Sequence, residues 1–99
     1  MNEMPIKEML EVAAERKRQD DKWGEQNHDA GVWALIILEE IGEWAKAELH
    51  RRFGGEDKDN AKTEAVQVSA VALAIVECMN RHGGNLPAAP GGEGRNNEG

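Results

Sequence analysis

Apolar positions recur at the spacing of helix faces through roughly the first eighty residues, and the alternation that marks a strand appears nowhere. Pro5 suits a first helical turn, and Ile6, Met9, Leu10 and Ala13 then repeat on one face, which predicts a first helix ending near Gln19. The stretch Asp20 to Gly31, DDKWGEQNHDAG, holds two glycines, an Asn and four acids without apolar periodicity, so it reads as a loop carrying Trp23. A second helix, rich in Leu, Ile and Ala, is predicted from about Gly31 to Arg52, where Phe53-Gly54-Gly55 stops it. The third runs from Ala61 to Arg81, with Asp57, Asp59 and Asn60 as candidate caps and Gly83 as its end. Beyond it, Gly83 to Gly99 holds six of the eleven glycines, two of the three prolines and one large aliphatic residue, Leu86. The expected organisation is one helical domain, residues 1–82, and a disordered Gly/Pro-rich tail, residues 83–99.

An ordered part of about 82 residues buries only roughly 60 to 65% of the surface that unfolding would expose. The fold expected is therefore an all-α bundle, three main helices per chain, completed by oligomerisation as a homodimer or a dimer of dimers. The 19 acidic and 12 basic residues give a formal charge of −7, which argues against a nucleic-acid partner, because such affinity rests on clustered Lys and Arg. A phosphate ligand on so acidic a chain needs a metal between. No run of eighteen apolar residues and no apolar stretch behind a basic start is present, so neither a membrane span nor a secretory leader is expected. The single cysteine, Cys78, excludes an internal disulfide and fits a reducing compartment, hence a cytoplasmic location.

Charge changes the picture most on the second helix. At 100° per residue, Glu39, Glu40 and Glu43 fall in one arc of about 100°, with Val32 and Ile36 in the same arc one or two turns earlier. A solvated stripe would run the length of the helix and mix its charges, whereas this one begins abruptly after an aliphatic turn. Carboxylates crowded against apolar surroundings persist in ionised form only where cations or strong hydrogen bonds compensate. A hard divalent ion is the natural compensator. On the third helix, twelve uncharged residues, AVQVSAVALAIV, separate Glu64 from Glu77, and Glu64 and Gln67 share a stripe with Val68, Val71, Ile75 and Cys78. Both side chains are therefore expected to point inward, and an antiparallel pairing of helices two and three would bring Glu64 toward the middle of helix two.

The sequence EEIGE, Glu39 to Glu43, followed after twenty residues by Glu64-Ala-Val-Gln67, resembles the MazG-like all-α nucleoside triphosphate pyrophosphohydrolases, whose pattern is EExxE on one helix and ExxD on the next. KWGEQNH, Lys22 to His28, adds to the resemblance, which spans about Glu15 to Glu77. It implies that Glu39, Glu40, Glu43 and Glu64, with Gln67 as a weaker fifth, hold Mg²⁺, or Mn²⁺ as a substitute. It also implies that these glutamates are the catalytic set in hydrolysis of a nucleoside or deoxynucleoside triphosphate to monophosphate and pyrophosphate. Trp23, Asn27, His28 and Lys22 are then the expected nucleotide-binding residues. Gln67 departs from the pattern, because an amide carries no charge and takes no proton. Its presence keeps open a non-catalytic nucleotide- or metal-binding oligomer on the same scaffold, and a plain helical interaction module stands as a third reading.

Other motifs have simpler accounts. Glu25 to His28 matches a Glu-x-x-His spacing, but a di-iron site needs two copies on helices and this chain has one, in a Gly-containing loop. Cys78 falls on the inward stripe as a small core residue, Trp44 reads as packing, and Lys17 and Arg18 as solvated charges. His50 and His82 sit at helix C-termini, where the dipole favours them.

Overall fold

A computed structural model describes residues 3–90 of the chain. Three helices, α1 (Ile6–Trp23), α2 (Ala30–Phe53) and α3 (Ala61–Arg81), account for the regular structure, and no strand occurs among the described residues. The all-α expectation is met, and α3 has the bounds its apolar pattern predicts. The end of α1 is different: the helix continues past Gln19 to Trp23. Two pairs one turn apart, Arg16 to Asp20 at 3.0 Å and Lys17 to Asp21 at 2.8 Å, support those extra turns, so acids that look like loop residues lengthen the helix. Gly24, at φ 77°, ends it.

The next two boundaries have identifiable chemistry. Asp29 caps α2, its carboxylate accepting from the Val32 N–H at 3.1 Å. Between α2 and α3 the chain reverses through Gly54 and Gly55, both at positive φ. Gly55 lies against the His50 ring so closely that a Cβ would collide with it. His50 Nδ1 accepts from the Asp57 N–H at 3.1 Å, so this histidine closes the turn rather than merely facing the helix dipole. Asn60 is the cap residue of α3, but its side chain makes no capping bond.

Of the three helices, α3 is the central one. It packs along α2 and along α1, while α1 and α2 share no Cα pair within 8 Å. The core joins Trp33 of α2 to Val71, Ala74 and Cys78 of α3, with Ile36, Ile37, Ile75 and Leu86 around it. Ala70 and Ala74, both buried, give α3 the narrow face that close approach requires. Leu86 corrects the domain boundary expected at residue 82: the chain turns back after α3 and sets this side chain on the core. The rest of the expected tail, residues 91–99, lies outside the described residues.

No residue of α1 is buried, and polar links hold it in place. Arg16 Nε donates to Glu77 of α3 at 2.7 Å, and Lys62 of α3 pairs with Glu11 at 3.0 Å. Much apolar surface remains uncovered. Leu35 is 70% and Leu38 60% exposed on the outer side of α2, and Ile6, Met9 and Leu10 form an open groove with Leu73. No helix of the described residues is long and apolar enough to cross a membrane.

Candidate functional site

Because α1 and α2 diverge over α3, a cleft opens between them, and it forms a cavity of about 480 Å³. Arg16, Gln19 and Trp23 line it from α1, Trp33, Ile36, Glu39 and Glu40 from α2, and Gln67, Val71, Ala74 and Glu77 from α3. Its walls are thus indole and aliphatic on the core side and carboxylate at one edge. Arg18, Lys22 and Arg81 add positive charge to the lining.

The register of the antiparallel α2–α3 pair decides what meets at the acidic edge. Glu40, Glu64 and Gln67 are all half-buried. The Gln67 side-chain amide lies 2.5 Å from Glu64 Oε1 and 3.3 Å from Glu40 Oε2, and with its NH₂ turned toward both carboxylates every partner is satisfied. Burial raises the Glu40 carboxyl above its ordinary range, with Glu64, Glu39, Glu43 and Glu15 adding like-charge repulsion. Glu64 is raised in the same way, by burial first and then by Glu43 and Asp57. The groups that raise these two carboxylates are all acids, and the base that reaches Glu40, Arg18, is hydrogen-bonded to Glu15.

Helices two and three therefore bring Glu40, Glu64 and Gln67 together, with Glu39 and Glu43 within electrostatic reach and exposed. They do not assemble a ready coordination sphere: among the described residues, no three His, Cys, Asp or Glu side chains stand where they could grip a metal ion. The donor set is nevertheless chemically suited to a hard cation, being carboxylate and amide oxygen only.

The residues expected at the nucleotide divide into two groups. Trp23 and Lys22 line the cavity, with the Lys22 ammonium 4.7 Å from the Trp23 ring centroid. Asn27 and His28 stand outside the lining. Asn27 Oδ1 accepts from Arg81 Nε at 3.1 Å and Nη2 at 2.9 Å, and its amide donates to Glu25 at 2.9 Å, so its hydrogen bonds fasten the loop to α3. His28 packs edge-on against Trp33, centroids 4.9 Å apart, behind the cavity wall.

Three residues that sequence reasoning did not single out shape this cavity. Arg16, with 11% of its side chain exposed, ties α1 to Glu77 and Asp20. It falls two turns after Met9 on the face of Ile6, Met9, Leu10 and Ala13, and a basic residue at an apolar register was the available signal. Arg81 also reaches the Gln26 carbonyl at 2.9 Å, a role hidden by its position at a helix end, where any base looks like a dipole partner. Trp33 is 2% exposed, and its indole Nε1 is buried with no hydrogen-bond partner. Such an orphan donor in a cavity-lining residue is costly, and nothing in a single sequence reports it. Glu15, beside Glu40, is lowered chiefly by its hydrogen bond from Arg18, so these two neighbouring carboxyls are pushed in opposite directions.

No family model matches the chain, and no curated protein or solved structure matches it.

The raised proton affinity of Glu40 has a measurable consequence. Between the ordinary carboxylate value and the higher folded value, the folded chain binds more protons than the unfolded one, so this group's contribution to stability falls as pH rises through that window. Glu40→Gln removes the charge. In metal-free buffer it is expected to raise the melting temperature by roughly 2–6 °C at pH 7 to 8. That gain should vanish below the ordinary carboxylate range, where both states are protonated. Calorimetric scans at both pH values check this, and an equal gain at both would contradict the burial and repulsion assigned to Glu40.

Proposed function

We propose that this chain is a Mg²⁺-dependent nucleoside triphosphate pyrophosphohydrolase of the MazG-like type. The supporting observation is the carboxylate pair Glu40 and Glu64, both raised by burial and by repulsion from neighbouring acids, with Glu40 lining a cavity with indole walls and Glu64 joined to it through Gln67. In this reading Glu39, Glu40, Glu43 and Glu64 hold the cation. When bound, Mg²⁺ supplies charge neutralisation between an acidic edge and a polyanionic substrate and lowers the pKa of nearby water.

The chain's own residues do the remaining work. Trp23 offers an aromatic face at the cavity mouth, where it is 55% exposed, and Lys22 stands over it. Lys22 is the lining cation available to phosphate oxygens, since Arg16, Arg18 and Arg81 are committed to Glu77, to Glu15 and to the Gln26–Asn27 loop. Water attacks the α-phosphorus, the α–β anhydride bond breaks, and a glutamate of the set takes the water's proton. A carboxylate with raised basicity suits that role better than an ordinary one. The leaving group is pyrophosphate, and the other product is the monophosphate.

One observation favours a second reading, nucleotide or metal binding without turnover. The Gln67 amide occupies a position where a further carboxylate would add charge to the ligand set. A panel of NTPs and dNTPs with Mg²⁺ separates the two. Hydrolysis releases monophosphate and pyrophosphate, and Glu40→Gln lowers the rate by about a hundredfold or more. Saturable binding without product supports the second reading, and neither binding nor product contradicts both.

Assembly belongs to the same proposal, with a cytoplasmic homo-oligomer as its setting. Leu35, Leu38, Gly42, Ala45 and Leu49 fall within an arc of about 80° on α2, on the side away from the core residue Trp33, and all five are exposed. A second copy of the chain covering this stripe would complete a four-helix layer, with Gly42 allowing close backbone approach. Light scattering is expected to give at least twice the chain mass, and Leu38→Glu to shift it toward the monomer. A monomeric wild-type chain at micromolar concentration would contradict this assembly.

A further inference from the structure

We propose that Gln67 is an ambidentate arm of the carboxylate set: its NH₂ donates to Glu64 and Glu40 while no cation is bound, and its carbonyl oxygen turns to the cation when one binds. The proposal rests on the Mg²⁺ reading above and assigns Gln67 a role that a carboxylate at the same position lacks.

Geometry carries the first half. Gln67 stands one helical turn after Glu64 on α3 and across from Glu40 on α2, with its amide 2.5 Å from one carboxylate and 3.3 Å from the other. Ionised carboxylates only accept hydrogen bonds, so two of them facing each other require a cation, a proton or a donor between them. The charged groups that bear on them are the acids Glu39, Glu43, Glu15 and Asp57 and, on Glu40 alone, the Arg18 guanidinium, which is hydrogen-bonded to Glu15. With the amide assigned so that nitrogen and not oxygen faces the two acceptors, the Gln67 NH₂ is the donor that bridges the pair, and it does so without a charge.

The second half follows from the side chain's symmetry. A primary amide presents a donor on one side and an acceptor on the other, and rotation about its last torsion exchanges them with little change in shape. Once a cation holds the two carboxylates, an NH₂ in that place faces positive charge, whereas the carbonyl oxygen is a ligand of the hard type such ions take. A carboxylate at position 67 would bind the ion more tightly but add a further negative charge to an edge that already repels itself. The chain thus trades affinity for free Mg²⁺ against stability without it, and the cation is best supplied together with the triphosphate that needs it.

Two substitutions separate the faces of the amide. Gln67→Glu keeps the length and replaces the donor by a charge: the metal-free melting temperature falls, and Mg²⁺ affinity by calorimetry rises about tenfold. Gln67→Met keeps the bulk and removes both faces: the metal-free melting temperature again falls, and Mg²⁺ affinity drops about threefold or more. An amide with only a structural role would lower the melting temperature in both variants and leave the affinity unchanged. In the wild-type chain, the Gln67 side-chain NH₂ pair in a ¹H–¹⁵N spectrum, assigned by its loss in Gln67→Met, is expected to move on adding MgCl₂ and not on adding KCl at equal ionic strength. If Mg²⁺ raises the wild-type melting temperature while that NH₂ pair stays in place and Gln67→Met binds the ion equally well, the two-faced role is overturned and the Mg²⁺ reading stands. If Mg²⁺ changes neither melting temperature nor spectrum, the Mg²⁺ reading fails and this proposal with it.

Discussion

Glu40 on α2 and Glu64 on α3 face each other across a helix–helix junction, half-buried, with a single neutral amide between them. Neighbouring charges relax this contact little, because those that raise it are acids as well and Arg18, the base that reaches Glu40, is hydrogen-bonded to Glu15. Like charges held together in a partly dehydrated place oppose folding, and they raise the affinity of that place for protons and cations together. The remaining structure serves to keep this contact in register. The Gly54–Gly55 reversal and the His50–Asp57 bond fix where α3 begins relative to α2. The small buried residues of α3 and Trp33 of α2 keep the two helices close despite the repulsion.

The same arrangement explains the cavity. With α3 packed against both neighbours and no Cα pair of α1 and α2 within 8 Å, the acidic edge opens onto a cleft, across which Glu15 and Arg18 of α1 reach toward Glu40. That cleft is kept open by polar links at its far end. Arg16 reaches from α1 to Glu77, and Arg81 reaches from α3 to the Gln26–Asn27 loop, so each guanidinium spans two elements. Arg is suited to this work because its planar fork makes several directed bonds at once. The outcome is a pocket with the carboxylate of Glu40, in no ion pair among the described residues, at one edge, guanidiniums paired with acids around it and indole in its walls, a distribution matched to a ligand that is part aromatic and part phosphate.

Much of this was legible in the chain, and the limits have physical causes. Helix three could be read end to end because its uncharged run and its flanking Asn60 and Gly83 give period, start and stop together. The end of α1 was misplaced because Asp20 and Asp21 resemble loop residues until their partners one turn back, Arg16 and Lys17, are considered. Leu86 was assigned to a disordered tail on composition, and a lone aliphatic residue gives no periodicity from which to infer its packing. The inward direction of Glu64 and Gln67 followed from their stripe, whereas the bridge between Glu64 and Glu40 depends on interhelical register, which a single sequence does not fix. Asn27 and His28 share a motif with Trp23 but not its surroundings, since the loop turns their side chains to Arg81 and Trp33.

The proposed chemistry depends on a cation relieving a repulsion that is already present in the folded chain. Carboxyl ¹³C titration of glutamate-labelled protein, with Glu40 and Glu64 assigned by substitution, measures that repulsion directly. Without divalent ions both carboxyls are expected to titrate above the ordinary glutamate range, and saturating Mg²⁺ is expected to bring both below it. Ordinary titration of both groups, unchanged by Mg²⁺, would show that the two helices hold no charged contact for a cation to relieve.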